Sequence, residues 1–224
     1  MGQSVAVAVT NNYGVVDDEA LTRYVTLVGL TVAYATPRAD EEFVFGVLDS
    51  DEVNAFSGPA GYILVTRGAI QQCQDESELA GILAHEIAHV VQQHGLEAVK
   101  HARRVQGATE VLQTEETFRR FGAAADQLID VTLNKGYSRG QEEDADEAAV
   151  RYLIAAGYDP AGYQRYLQRM ASGTSSGGLQ QLMSTHPGLG DRAAKVSNQI
   201  RKAGNPAGAT LATRFRQHVA QPAG

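Results

Sequence analysis

Asp75-Glu76-Ser77-Glu78-Leu79-Ala80-Gly81-Ile82-Leu83-Ala84-His85-Glu86-Ile87-Ala88-His89-Val90-Val91-Gln92-Gln93-His94-Gly95 is the stretch that decides the fold. Asp75 is an N-cap residue, Glu78 stands three positions on as in a capping box, and Gly95 offers a C-terminal stop. The segment is therefore predicted to be one helix. His85 and His89 are four residues apart, so they lie within ~40° of each other on that helix with Cβ atoms ~5–6 Å apart. Two imidazoles at that spacing reach one metal ion at ~2.0–2.1 Å. Glu86 falls one residue further round, near the ion but off the ligand line, where a carboxylate takes a proton from water. A shuffled chain of this composition shows such a pattern about once in a hundred times. The plain alternative is a solvated helix face.

Moving outward, Phe43 to Leu48 reads as a buried strand, Val53 to Phe56 as a second and Tyr62 to Val65 as a third. Ser57-Gly58-Pro59-Ala60-Gly61 is turn chemistry between the last two. Asp17-Asp18-Glu19 opens a periodic helix to about Ala35, stopped by Pro37. Val5 to Val9 is short, apolar and unassigned. From about Leu96 to Lys135 the chain reads as helical with a break near Gly107. Ser138 caps a further helix, with Gln141 at the box position and Gly157 as its stop, and Asp159-Pro160 starts another to about Met170. Ser172 to Gly178 is a Gly/Ser loop, and a helix runs from about Asp191 to Lys202. The result is an α+β fold, mostly helical, with one small sheet before the central helix. Residues 1–204 form the domain and 205–224 a loosely packed C-terminal tail.

The chain has 224 residues, 43% hydrophobic and 20% charged, which is ordinary globular composition and excludes wholesale disorder. A net charge of −7 argues against nucleic acid as a partner. Cys73 is the single cysteine, so an internal disulfide framework and a cysteine-built zinc finger are excluded. Cys73 reads as a small packed side chain, and His94 and His101 as surface helix residues. No stretch is long and apolar enough to cross a membrane. No basic, apolar export signal opens the chain.

Two histidines cannot hold a catalytic zinc alone. In Glu142-Glu143-Asp144-Ala145-Asp146-Glu147, Glu142 and Asp146 share a helix face that continues through Ala149, Val150 and Leu153. Charge on a packing face is costly unless paired or bound to metal. On spacing alone the cluster reads equally as a source of the third ligand, Glu142, or as an acidic helix start favoured by the dipole. His186 before Pro187 has an extended backbone bias and two readings, a surface or capping residue or part of the site.

Four segments in order resemble the HtpX-like and type I CaaX prenyl protease family of zinc metallopeptidases, which are gluzincins. They are Val53 to Phe56 continuing through Pro59 to Gly68, His85 to His89, Ser138 to Asp146, and Ser184-Thr185-His186-Pro187. The resemblance covers about Gly2 to Ala203. It implies a zincin-like domain whose small sheet has an edge strand bordering the active-site helix. It implies one zinc ion per chain held by His85, His89 and Glu142, with Glu86 as general base. Asp146 matches the family's acidic residue four after the ligand Glu, placed to orient a ligand His. His186 is then either an inhibitory fourth ligand or an oxyanion donor, a role Tyr137 also fits. An extended peptide would pair with Tyr62, Ile63, Leu64 and Val65 as the edge, with Asn54 and Ala55 beside it. The family usually has Gly at the Ala60 position, so the turn after Pro59 is expected to differ.

The implied activity is hydrolysis of peptide bonds in unfolded or misassembled cell-envelope proteins. The expected location is the envelope or periplasm, with the export signal outside this chain and possible peripheral contact with a membrane. Competing readings are a latent or chaperone-like scaffold with a closed zinc site, and a metal-free helical binding module.

Overall fold

A computed structural model describes residues 2–105, 126, 128–173 and 179–219. The break expected near Gly107, the heart of the Gly/Ser loop at 174–178 and the side chain of His101 lie outside the described residues.

Helix α1 (Gly2–Tyr13) and α2 (Glu19–Ala33) precede strands β1 (Val44–Leu48), β2 (Ala55–Gly58) and β3 (Tyr62–Thr66). Short α3 (Arg67–Gln71) leads to α4 (Glu76–Val91) and α5 (His94–Val105). A π-helical turn (Val131–Lys135) precedes α6 (Arg139–Ala155), α7 (Pro160–Ala171), α8 (Leu179–Thr185), α9 (Leu189–Lys202) and α10 (Ala212–Val219). The predicted helix around the His pair is α4, and every residue from Glu76 to Val90 in it is buried. A helix buried on all sides must be the axis of the fold. It packs against α2, α6, α7 and β2.

Strand order is β1-β3-β2, with β1 parallel and β2 antiparallel to β3. This corrects the sequence-based edge: Tyr62, Ile63, Leu64 and Val65 lie in the central strand, with both backbone edges already paired. The physical signal was present, because Ile63-Leu64-Val65 is a continuous apolar run with no polar face, as central strands are. The end strand that borders α4 is β2, paired through Ala55↔Val65 and Gly58↔Tyr62. Ala60 adopts a left-handed φ of 64°, a conformation glycine takes without steric cost.

The caps follow the sequence closely, with two differences. Asp75 accepts from the Glu78 backbone N–H at 3.1 Å, and Glu78 reaches past the cap to accept from Gln74 at 2.9 Å. The helix stops at Gln93, which takes φ 58°, while Gly95 lies inside α5. Ser138 and Gln141 form the predicted capping box of α6.

Among the described residues, the C-terminal segment from 205 to 219 packs against the domain. The Thr210 carbonyl accepts from the Glu76 and Ser77 N–H groups at 3.0 and 3.3 Å, supplying part of the α4 cap. Arg214 pairs with buried Glu76, Phe215 is buried, and His218 stacks on Tyr24 at 4.3 Å. The apolar 5–9 stretch, unassigned by sequence, lies in α1, whose Val5 and Val9 cover Leu48, Phe56 and Leu64.

Helix α7 lies unusually close to α4. A Cβ on Gly81 would stand 2.6 Å from the Tyr163 Cβ, and one on Gly162 2.1 Å from the Ser77 hydroxyl. That approach carries Tyr163 to within ring contact of His85, 6.0 Å between centroids.

Candidate metal centre

Helix α4 presents His85 and His89, the first turn of α6 presents Glu142, and the residue after α8 is His186. All four are buried, and one donor atom from each lies within 4.8 Å of the others. The separations are specific. His85 Nε2 is 3.0 Å from His89 Nε2, 3.4 Å from a Glu142 oxygen and 3.4 Å from His186 Nδ1. Glu142 is 3.4 Å from His89 Nε2 and 3.2 Å from His186 Nδ1. Four ligands ~2.0–2.1 Å from a common centre in tetrahedral array are about 3.3 Å apart. With either single Glu142 oxygen as the fourth vertex, four of the six edges of that tetrahedron have the right length; Oε2 is the oxygen nearer His85 and Oε1 the one nearer His89. Imidazole lone pairs facing each other at such distances repel unless a proton or cation sits between them, so this donor set fits a metal ion.

Asp146, one turn beyond Glu142, accepts from His85 Nδ1 at 3.0 Å. That bond leaves Nε2 free to face the cluster, as a ligand imidazole requires. Arg192 on α9, missed by sequence reading, ties the carboxylates together. Its Nε and Nη2 donate to Asp146 at 2.8 and 2.7 Å, and its Nη1 pairs with Glu142. Tyr163, also missed, donates to Asp146 at 2.6 Å and accepts from Arg192 at 2.9 Å. Both lay on legible stripes: Arg192 falls in register with Leu189, Ala193, Val196 and Ile200, and Tyr163 with Tyr166, Leu167 and Met170. A cation on an apolar helix face is the signal.

The electrostatics follow from these contacts. Burial opposes ionisation of Asp146 and Glu142. For Asp146 the Arg192 guanidinium, and for Glu142 the neighbouring His186 and Arg192, outweigh burial and hold each carboxyl well below the usual range. Burial and Arg192 oppose protonation of His85, but its bonds to Asp146 and Glu142 prevail and push it up to about 9. His89 is lowered to about 4, chiefly by burial.

Glu86 is buried beside the cluster and outside it. Its Oε1 is 3.6 Å from His186 Nε2, and its Oε2 has no hydrogen-bond partner. Asn54 is buried, accepts from the Thr185 hydroxyl at 3.2 Å and leaves its amide nitrogen unpartnered. Asn54 and Ala55 line a 30 Å³ cavity with His85, Glu86 and His186. Tyr62 to Val65 border none of the cavities at the cluster. Tyr137 stacks on His89, 4.0 Å between centroids and 15° between planes, while its hydroxyl reaches toward Gly95.

His94 corrects the sequence reading. It is buried, not on the surface, and its Nδ1 is 2.9 Å from His89 Nδ1. Cys73 is buried and bonds the Ala69 carbonyl at 3.4 Å, a packed side chain as expected. A cavity of about 420 Å³ lies beside the cluster, walled by His89, Val90, Leu96, Leu128, Tyr137 and the end of β2. Among the described residues no helix is long and apolar enough to cross a membrane.

Comparison with known proteins places the chain among metallopeptidases. The chain is 28% identical over 171 residues to the putative beta-barrel assembly-enhancing protease of Vibrio cholerae serotype O1, covering 72% of this chain and 35% of that protein. It is 25% identical over 193 residues to the beta-barrel assembly-enhancing protease of Escherichia coli K12, covering 82% and 40%. It is 28% identical over 183 residues to the mitochondrial metalloendopeptidase OMA1 of Schizosaccharomyces pombe, covering 81% and 54%. The chain thus spans about a third to a half of the length of these relatives. The pattern of Peptidase family M48 matches residues 19–200, which contain every residue of the cluster, and the chain belongs to that family.

Proposed function

We propose that this chain is the catalytic domain of a zinc metalloendopeptidase, with His85, His89 and Glu142 as permanent ligands and His186 as a resting fourth. The observation that carries the reading is Glu86, a buried carboxylate with one unpartnered oxygen beside a tetrahedral donor set. When bound, zinc supplies Lewis acidity, polarising the scissile carbonyl and making water nucleophilic near neutral pH. Glu86 accepts the proton of the attacking water at Oε2 and passes it to the leaving amine. Asp146 fixes the His85 tautomer, and Arg192 holds Asp146 and Glu142 in place.

The peptide is assigned to the outer edge of β2, Ala55 to Gly58, instead of to β3. The unpartnered Asn54 amide is then a donor for a substrate carbonyl. Between Ala55–Ser57 and the wall made by Val131, Thr132, Gly136, Tyr137, Thr185 and His186 only about 10 Å³ is free over Glu86. A peptide does not fit there, so substrate entry requires that wall, and His186 with it, to withdraw. The 420 Å³ cavity is of a size to take an apolar substrate side chain. The names of the bacterial relatives support unfolded or misassembled envelope proteins as substrates and the envelope as location.

A closed four-ligand set is also what a structural zinc site looks like, which keeps a latent, chaperone-like domain as the second reading. Two variants test between them on an unfolded, casein-like substrate. Glu86→Gln should keep its zinc and lose at least ~10²-fold in rate. His186→Ala should cleave faster than the parent if His186 blocks the site, and ~10²–10³-fold slower if it is an oxyanion donor. Near-normal cleavage by Glu86→Gln would refute the mechanism. No cleavage by the parent or by His186→Ala would favour the latent scaffold.

A further inference from the structure

We propose that His94 is a positioning residue for His89, holding its ring and tautomer through a neutral imidazole–imidazole hydrogen bond. The inference rests on the reading that His89 holds the ion through Nε2. That nitrogen is the one facing the cluster, 3.0 Å from His85 Nε2 and 3.4 Å from Glu142. A neutral imidazole offering its Nε2 lone pair carries its hydrogen on Nδ1. His89 Nδ1 lies 2.9 Å from His94 Nδ1, so His89 donates and His94 accepts. His94 is thereby fixed as the complementary tautomer, with its hydrogen on Nε2.

The surroundings are built to place that acceptor. Gln93 turns the chain with a left-handed φ of 58°, a sterically strained conformation for a non-glycine residue, directly before His94. Gly95 follows, where a Cβ would stand 2.9 Å from Leu128. Gln141, the box residue of the helix that carries Glu142, donates to the His94 carbonyl at 3.2 Å. Tyr137 stacks on the face of His89 at 4.0 Å, so His89 is held in its plane by His94 and across its face by Tyr137. The two α4 histidines thus receive different support: His85 has a carboxylate on Nδ1 and His89 a neutral ring. Without its acceptor, the His89 Nδ1–H is buried and unpaired, and the ring is free to present the wrong nitrogen.

The test is zinc affinity, measured by chelator competition on the full chain, with metal-free thermal melts alongside. His94→Phe keeps a ring and removes the acceptor, and should bind zinc ~10–100-fold more weakly. His94→Asn places an amide oxygen near the former Nδ1 and should stay close to the parent. His94→Gln places it near the former Nε2 and should weaken like Phe. The Asn and Gln pair decides the matter if the Phe variant does not fold. Parent-like affinity in the Gln and Phe variants, or equal weakening in Asn and Gln, overturns the inference. A parent that binds no zinc refutes the metal-centre reading itself.

Discussion

Replacing Arg192 with Met keeps most of the side chain's bulk and removes its charge. Glu142 and Asp146 are both buried, and Arg192, itself buried, donates to each. Removing one partner of a buried ion pair costs about 3–5 kcal/mol, because the stranded carboxylates have no solvent to turn to. For a chain of this size, 1 kcal/mol moves the melting temperature by about 2–4 °C. The metal-free variant should therefore melt roughly 6–20 °C below the parent. With zinc bound the loss should be smaller, since the ion supplies positive charge to the same carboxylates. The assay is circular-dichroism melting of both proteins after chelation and after zinc loading. A metal-free loss under about 1 kcal/mol would refute the claim that Arg192 neutralises the site. An identical loss with and without zinc would show that it acts only by packing.

Glu142→Ala and His85→Ala should each weaken zinc binding, since each leaves two permanent ligands and the resting His186; parent-like affinity of Glu142→Ala in chelator competition would sink the ligand assignment. Ala60→Gly should relieve the left-handed φ of 64°; the ~1–2 kcal/mol of relief, less ~0.4–1 kcal/mol for glycine's greater freedom when unfolded, leaves roughly 0–1.6 kcal/mol and a melting temperature raised by up to ~6 °C, so a clear fall would refute the strain. Burial opposes ionisation of Glu76, but bonds from Arg214, Tyr158 and Tyr24 prevail and lower its pKa. Its stabilisation is therefore present above the unfolded value of ~4.3 and lost as pH falls through the folded one. Arg214→Met, which removes the half-exposed partner of buried Glu76, should cost about 1 kcal/mol in urea melts at pH 7, with the gap to the parent closing below pH ~4.

The parts of the fold that local chemistry dictates were legible. Asp75, Asp18, Ser138 and Asp159 are all N-caps in the structure, and Pro160 opens its helix. The i,i+4 spacing of His85 and His89, and the shared face of Glu142 and Asp146, carried over directly because helical geometry fixes them. What sequence did not yield depends on partners distant in the chain. Strand order needed to be inferred from β3 being apolar on both faces. The helix stops at Gln93 and not at Gly95, and local propensity gave no sign of it, because a left-handed φ of 58° is sterically costly for Gln and free for Gly. Arg192 was hidden because a lone cation reads as solvated until its helix face is drawn. The segment after Gly204 looked polar and loose, yet its described part, to Val219, docks through backbone capping by Thr210, the Arg214–Glu76 pair, buried Phe215 and the His218–Tyr24 stack, none of which needs an apolar run.

The uneven support of the four donors bears on how the site works. His85 stands inside, and His89 in the last turn of, a sixteen-residue helix that is buried from Glu76 to Val90 and capped by Asp75 and by the Thr210 carbonyl. Glu142 sits in the first turn of a seventeen-residue helix closed by a capping box, and Arg192 braces it. His186 follows a seven-residue helix and is placed by its own N–H bonding to Leu182 at 2.8 Å, the Thr185–Asn54 contact and the Gly136 backbone against Thr185. Short helices are marginal without tertiary support, so the element carrying His186 opens at least cost. Its anchors, Asn54 and the segment through Gly136 and Tyr137, also wall the narrow space over Glu86. On the proposed reading, a peptide pairing with β2 would compete for those anchors, and its binding would draw His186 away from the other three donors. Three donors fixed by long helices and one by a short, displaceable segment is the arrangement expected of a site held shut until a substrate strand enters.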